Sequence, residues 1–291
     1  MDSICFIMPY FGSWPEWMSL YLQSCANNPS IDWIFLTDCK TPALAPKNTR
    51  FIPVSWKDCA QLVHDICELS YLPDAPYKLC DFRFGFGEIF KTYLTGYDFL
   101  GFGDIDVIYG DLRSFLGKEV LRHDLLTFNA THVSGHLTLL RNTADITSKY
   151  KLYEPWLAQA NNRAPAFLDE NIGYYGITNV YSIESYNTPM SPYIKWTNGE
   201  FKFPYTWYYR RGKLFNNLDG DRDFMYLHFM RYKFIWSAKK IDRVVHFDLC
   251  APPLEWCLEP DGFRLCTEDD RNPVRESFLP SYDPVQVVPS A

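Results

Sequence analysis

The chain has 291 residues, enough for one large α/β domain or two small ones, and its 47% hydrophobic and 18% aromatic content excludes a disordered polymer without core material. A formal charge of −7 argues against nucleic acid as the partner, because that binding depends on Lys and Arg neutralising phosphates. An anionic ligand therefore has to be held locally, by a metal or by a few placed cations.

Nine cysteines without a C-x-x-C pair point away from a zinc centre or a disulfide framework and toward reduced thiols in apolar positions. There is no basic segment followed by an apolar stretch of signal-peptide length, and no run of the ~20 apolar residues that a span requires. The expectation is a cytoplasmic protein, with any membrane contact limited to peripheral docking on the inner face.

In chain order, Ile4-Cys5-Phe6-Ile7-Met8 is a short apolar run stopped by Pro9, and Gly12 and Pro15-Glu16 then mark a turn and a helix start. Residues 33–38 and 51–54 supply two more strands, and Ser55 is placed to cap a helix from Trp56 to about Leu69. The β-α-β-β-α alternation predicts a mainly parallel sheet flanked by helices. A further helix is expected from Asp81 to Tyr93, then a strand from Tyr97 to Phe102 that runs into Gly103-Asp104-Ile105-Asp106. Asp111 is expected to cap a short helix reaching about Leu121, with strands at 125–128 and 137–140 and an aromatic hairpin over 201–214.

Ligands in open α/β sheets bind beyond the carboxyl ends of strands, so Asp104 and Asp106 stand where a site should be. In extended geometry two acids two residues apart point to one side, with Ile105 turned to the core. That suits a hard divalent ion, Mn²⁺ or Mg²⁺, whose remaining coordination is taken by diphosphate oxygens. The competing reading makes both ordinary turn residues. A strand followed by D-x-D also suits a haloacid-dehalogenase-like phosphatase with Asp104 as nucleophile. Such an enzyme would carry the motif near its N-terminus and a later apolar strand ending in Gly-Asp, whereas Gly220-Asp221 follows a polar stretch.

The segments Tyr77 to Arg83, Tyr97 to Leu112, Ser134 to Asn142 and Met225 to Phe229 together resemble a family of GT-A-type glycosyltransferases of bacterial capsule and O-antigen loci. The resemblance implies a GT-A-like, Rossmann-like α/β fold over residues 1–250, with a β-rich C-terminal extension over 251–291 whose last ~10 residues are expected to be frayed. It implies a UDP-sugar donor, Mn²⁺ or Mg²⁺ on Asp104 and Asp106, and His228 completing the ion's ligands. It points to Pro9, Tyr10, Phe11 and Asp38 for the nucleotide, to Lys78 ahead of Arg83 for a base or phosphate contact, and to Arg231 and Lys233 for the leaving diphosphate. Ser134, Gly135 and His136 are expected along the donor sugar. Asp169, with Glu170 beside it, is the candidate base for the acceptor hydroxyl of an inverting enzyme.

The function expected is transfer of a sugar from a UDP-sugar to a hydroxyl of a growing surface glycan, with a nucleotide sugar and a glycan or lipid-linked glycan as partners. A non-catalytic carbohydrate-binding protein is the other alternative, distinguished by sugar binding indifferent to metal and nucleotide.

Overall fold

The computed structural model describes residues 1–129, 132–168, 173–182, 196–197, 200–201, 206–217, 223–248 and 252–271. The chain runs β1 (Ile4–Pro9), α1 (Met18–Ala26), β2 (Ile31–Thr37), β3 (Thr49–Pro53) and α2 (Trp56–Cys67). After a 3₁₀ segment (Pro76–Gly85) come α3 (Phe86–Ile89), β4 (Phe99–Gly103), β5 (Val107–Tyr109), α4 (Leu112–Phe115), β6 (Leu125–Thr127) and β7 (Leu137–Arg141). Helices α5 (Ala144–Thr147) and α6 (Pro155–Ala160) precede β8 (Val180–Ser182), β9 (Trp196–Thr197), β10 (Glu200–Phe201), β11 (Trp207–Arg210) and β12 (Lys213–Asn216). The last described elements include β13 (Tyr226–His228), α7 (Met230–Lys239), β14 (Glu255–Glu259) and β15 (Gly262–Leu265).

A seven-stranded sheet of order β3-β2-β1-β4-β7-β6-β8 organises the fold. Only β7 runs against its neighbours, so the sheet is mainly parallel, as the β-α alternation predicts. The strands are apolar on both faces because both faces are covered. Along β1, Cys5 and Ile7 enter one buried cluster while Ile4, Phe6 and Met8 enter another, the period-two alternation of a strand between two cores. Phe6 stacks on Trp33 with ring centroids 5.5 Å apart, tying β1 to β2 on that second face.

A third core lies between α7 and a four-stranded sheet of order β12-β11-β14-β15, and contains Trp207, Tyr209, Trp236, Trp256 and Phe263. Strand β14 pairs with both β11 and β15, so residues 255–265 are woven into that sheet by backbone hydrogen bonding. No helix among the described residues is long and apolar enough to cross a membrane.

Local signals behave unevenly. Ser55 caps α2, its hydroxyl accepting from the Asp58 amide at 3.1 Å, and Asp111 caps α4 through the Ser114 amide. That short helix ends at Phe115, two residues before Gly117, rather than near Leu121. The helix expected over Asp81 to Tyr93 is broken into the 3₁₀ stretch, the single turn α3 and a second 3₁₀ turn at Lys91–Tyr93. Two glycines and four phenylalanines give this stretch weak helical propensity, and Phe82, Phe84, Phe86 and Phe90 are all buried, which no single helical stripe would achieve. Of the expected aromatic hairpin, the second half is realised as β11 and β12, and residues 202–205 lie outside the described residues.

Candidate active site

The carboxyl ends of β1, β2 and β4 share one edge of the large sheet, and the reversed strand β7 brings its own beginning to that edge, Gly103 pairing with Leu137. Topology alone therefore gathers the loop after Pro9, the Asp38 turn, the D-x-D and Ser134-Gly135-His136. The amide of Asp104 donates to the carbonyl of His136 at 3.1 Å, and a Cβ on Gly103 would meet that same carbonyl at 2.6 Å. Gly110 is equally constrained, since a Cβ there would lie 2.3 Å from the Phe224 carbonyl. Both glycines bracketing the motif are demanded by close backbone approach.

Strand β13 delivers His228. It pairs antiparallel with β5 so that His228 stands opposite Val107, the residue after Asp106, and the Phe229 amide donates to the Asp106 carbonyl at 3.0 Å. His228 Nε2 lies 3.6 Å from Asp106 Oδ1 and 3.8 Å from Asp104 Oδ2, and the three residues offer ligand atoms all within 4.8 Å of one another. That nitrogen is buried without a hydrogen-bond partner. A buried ring nitrogen left unpaired costs free energy, and here it faces two carboxylates at distances too long for hydrogen bonds. Two hard oxygens and one imidazole suit Mn²⁺ or Mg²⁺, so the residues fit a divalent ion.

Each carboxylate already has a cation. Arg83 bonds Asp104 Oδ1 through one guanidinium nitrogen and donates to the Gly135 carbonyl at 2.6 Å through the other, so it joins the two segments. Lys233 Nζ, on α7, lies 2.7 Å from Asp106 Oδ2 and 5.8 Å from the Trp17 ring centroid. Burial alone would raise the Asp106 carboxyl, but His228 and Lys233 outweigh it and hold the group well below the usual carboxylate range. His136 stacks on His228 with ring centroids 4.4 Å apart and shares a 2.9 Å hydrogen bond with the Tyr226 hydroxyl. Burial first, and then the neighbouring His228, push His136 well below the usual histidine range, so its ring is neutral.

The remaining candidates divide. Asp38 is exposed and accepts from the Gly12 amide at 2.8 Å, clamping the loop after β1, while Tyr10 stacks on Trp14 at 5.0 Å and donates to the Ser13 carbonyl. Pro9 ends β1 partly buried, whereas Phe11 is packed into the core against Trp56. Ser134 is buried and ties Phe128 and Thr127 to the turn before β7. Arg231 sits partly buried at the second residue of α7. Lys78 is drawn elsewhere, its ammonium 2.6 Å from Asp81 Oδ2 and 3.1 Å from the Ala164 carbonyl, with side chains 3% and 0% exposed. Of the two cations, Arg83 therefore lies beside the D-x-D through Asp104, while Lys78 is held by Asp81. Asp169 and Glu170 lie outside the described residues.

Sequence reasoning passed over Trp17, whose indole donates to the Ile105 carbonyl at 3.0 Å, and Tyr226, which holds His136. The only signal for Tyr226 was its place two residues before His228, on the same face of a strand.

Fold and site define a mainly parallel α/β protein with two carboxylates and an imidazole converging at the carboxyl edge of its sheet. The chain belongs to the family of unknown function DUF6625, which it matches over residues 6–250. No curated protein matches it. Among solved structures it is similar to two crystal structures of LgtC, one an active-site mutant and one of galactosyltransferase LgtC with donor and acceptor sugar analogs. Each is 14% identical over 64% of this chain and 74% of the other, with TM-scores of 0.36 and 0.37. Superpositions that loose carry no argument about activity, which rests on the geometry above.

Proposed function

We propose that this chain is a metal-dependent glycosyltransferase of the GT-A type that transfers a sugar from a UDP-sugar to a hydroxyl of a growing surface glycan in capsule, O-antigen or exopolysaccharide synthesis. The observation that carries this reading is the convergence of Asp104, Asp106 and the unpaired Nε2 of His228 at the end of β4. These three residues would hold Mn²⁺ or Mg²⁺, which when bound would supply positive charge against the diphosphate that leaves.

The chain's own residues supply the rest of the mechanism. Lys233, with its side chain 41% exposed, and Arg83 stand beside the carboxylates as cations able to turn to phosphate oxygens. His136 and Tyr226 fix the plane of His228 by stacking and hydrogen bonding. The loop from Tyr10 to Trp14 and the Asp38 turn form the base and ribose side of the site, and Ser134 to His136 the sugar side. By sequence position Asp169, or Glu170, takes the acceptor hydroxyl's proton in an inverting reaction.

Titration of UDP in a calorimeter, with Mn²⁺ and then with EDTA, tests the reading. Binding is expected with the ion and lost on chelation. UDP binding unchanged in EDTA would sink the metal-bridged site, and an aspartyl-phosphate on Asp104 would transfer the protein to the phosphatase reading.

A further inference from the structure

The outer face of the four-stranded sheet carries chemistry unrelated to the carboxylate site. Trp256, Leu258 and Phe263 turn inward to the third core, so the intervening Cys257 points the other way, paired across the sheet with Tyr208 of β11 and Arg264 of β15. Although on the outer face, Cys257 is fully buried. The cover is the segment after β15, which begins with the half-buried Cys266 and ends in the 3₁₀ turn Asp269–Arg271. Cys266 Sγ lies 2.7 Å from Cys257 Sγ, on the diagonal of the β14–β15 hairpin.

Asp270 is the third potential ligand in this cluster, and a soft metal bound by two thiols and a carboxylate is the obvious alternative. Its oxygens are already engaged. Oδ2 accepts from Arg264 at 2.7 Å, from the Thr267 amide at 2.6 Å and from the Thr267 hydroxyl at 2.9 Å, while Oδ1 accepts from Arg264 at 3.0 Å. A carboxylate holding a bidentate guanidinium and two further donors has little left for an ion, so the thiols are left to each other.

We infer that Cys257 and Cys266 are a reactive dithiol that closes reversibly to a disulfide by exchange with a low-molecular-weight disulfide, fastening the segment from Cys266 to Arg271 onto the sheet. The roles of the two sulfurs differ. Cys266 is the accessible one, and the hydrogen bond it shares with Cys257 brings its pKa below the ordinary thiol range, whereas the same contact and burial push that of Cys257 up. The Cys266 thiolate attacks one sulfur of the incoming disulfide, forming a mixed disulfide and expelling one thiolate. Cys257, losing its proton to solvent, then attacks the Cys266 sulfur and expels the second thiol. Two protein thiols are oxidised and one small disulfide is reduced to two thiols.

The native full chain, equilibrated with oxidised glutathione, alkylated and digested, should yield a peptide pair joined through Cys257 and Cys266, with a melting temperature that rises and returns on adding reductant. Cys257→Ala should accumulate glutathione on Cys266, the trapped first step, and Cys266→Ala should leave Cys257 unmodified. If both thiols are recovered alkylated, or if glutathione settles on Cys39 or Cys80 in their place, the inference is wrong. Retention of one Cd²⁺ per chain, lost in Asp270→Asn, would also overturn it, in favour of a metal centre. The mass measurement on the unaltered protein keeps the test independent of whether either variant folds.

Discussion

Lys78→Met separates a structural lysine from a nucleotide-binding one. The ammonium and the Asp81 carboxylate are 2.6 Å apart with side chains 3% and 0% exposed, so solvent does not screen the pair. Asp81 also accepts from the amides of Ala166 at 2.9 Å and Leu168 at 3.1 Å, which pins the chain just before Asp169. Methionine keeps the aliphatic stem and removes the charge, leaving a buried carboxylate with two amide donors and the Ala164 carbonyl without its ammonium. Breaking a buried pair on one side costs about 3–5 kcal/mol, and the surviving amide bonds favour the lower end. At roughly 2–4 °C per kcal/mol for a chain of this size, a loss of ~3 kcal/mol lowers the melting temperature by about 6–12 °C. The matched control is Arg122→Met, which breaks the pair with Glu119 between side chains 68% and 84% exposed and should cost under ~1 kcal/mol. Differential scanning calorimetry gives the melting temperature, and UDP titration of the folded protein gives the affinity. The reasoning fails if Lys78→Met melts with the parent protein while UDP affinity drops, since that would make Lys78 a ligand contact.

His228→Ala should weaken Mn²⁺ binding by at least the ~10–100-fold that loss of an outer-sphere partner costs, with the fold retained; a lowered melting temperature with unchanged Mn²⁺ affinity per folded molecule would make His228 a core residue only. Acid should loosen the C-terminal sheet, because hydrogen bonds from Arg264 hold both Glu259 and Asp270 below the usual carboxylate range. The unfolded chain therefore binds protons more readily, so this stabilisation is full above roughly pH 5 and is lost as the pH falls through about 4 and below. Melting curves from pH 6 to pH 3 should fall more steeply for the parent than for Arg264→Met, and parallel curves would contradict the assignment.

The sheet was readable because its strands are short apolar runs ended by strong punctuation. Pro9 closes β1, Ser55 opens α2 with a real cap, and the β-α alternation leaves few topologies for the parallel strands. The part after residue 200 was less legible. Strands β11 and β14 are neighbours in space but some 45 residues apart, and nothing local in Trp256 or Tyr209 announces that their rings stack 4.8 Å apart across two strands. The two thiols escaped for the same reason. Counting spacings in the sequence found no C-x-x-C, while the hairpin brings together cysteines nine residues apart.

The surroundings of the D-x-D were legible only in part, and the contacts that could not be read turn on helical geometry. D-x-D at the end of an apolar strand carries its own direction, so Asp104 and Asp106 could be placed from the sequence. The partners of Lys78 and Arg83 could not, because they depend on how 76–85 is wound. Read as loop followed by an α-helix from Asp81, that stretch leaves Lys78 outside the helix and free to reach a ligand. Wound as a 3₁₀ helix from Pro76, it has three residues per turn, so Lys78 and Asp81 eclipse one another and close a buried pair. Arg83 then falls on a different line of the same helix, the one that faces Gly135 and Asp104. One change in helical pitch thus sets the partners of both cations: it makes Lys78 part of the frame that holds residues 164–168, and gives Arg83 to Asp104.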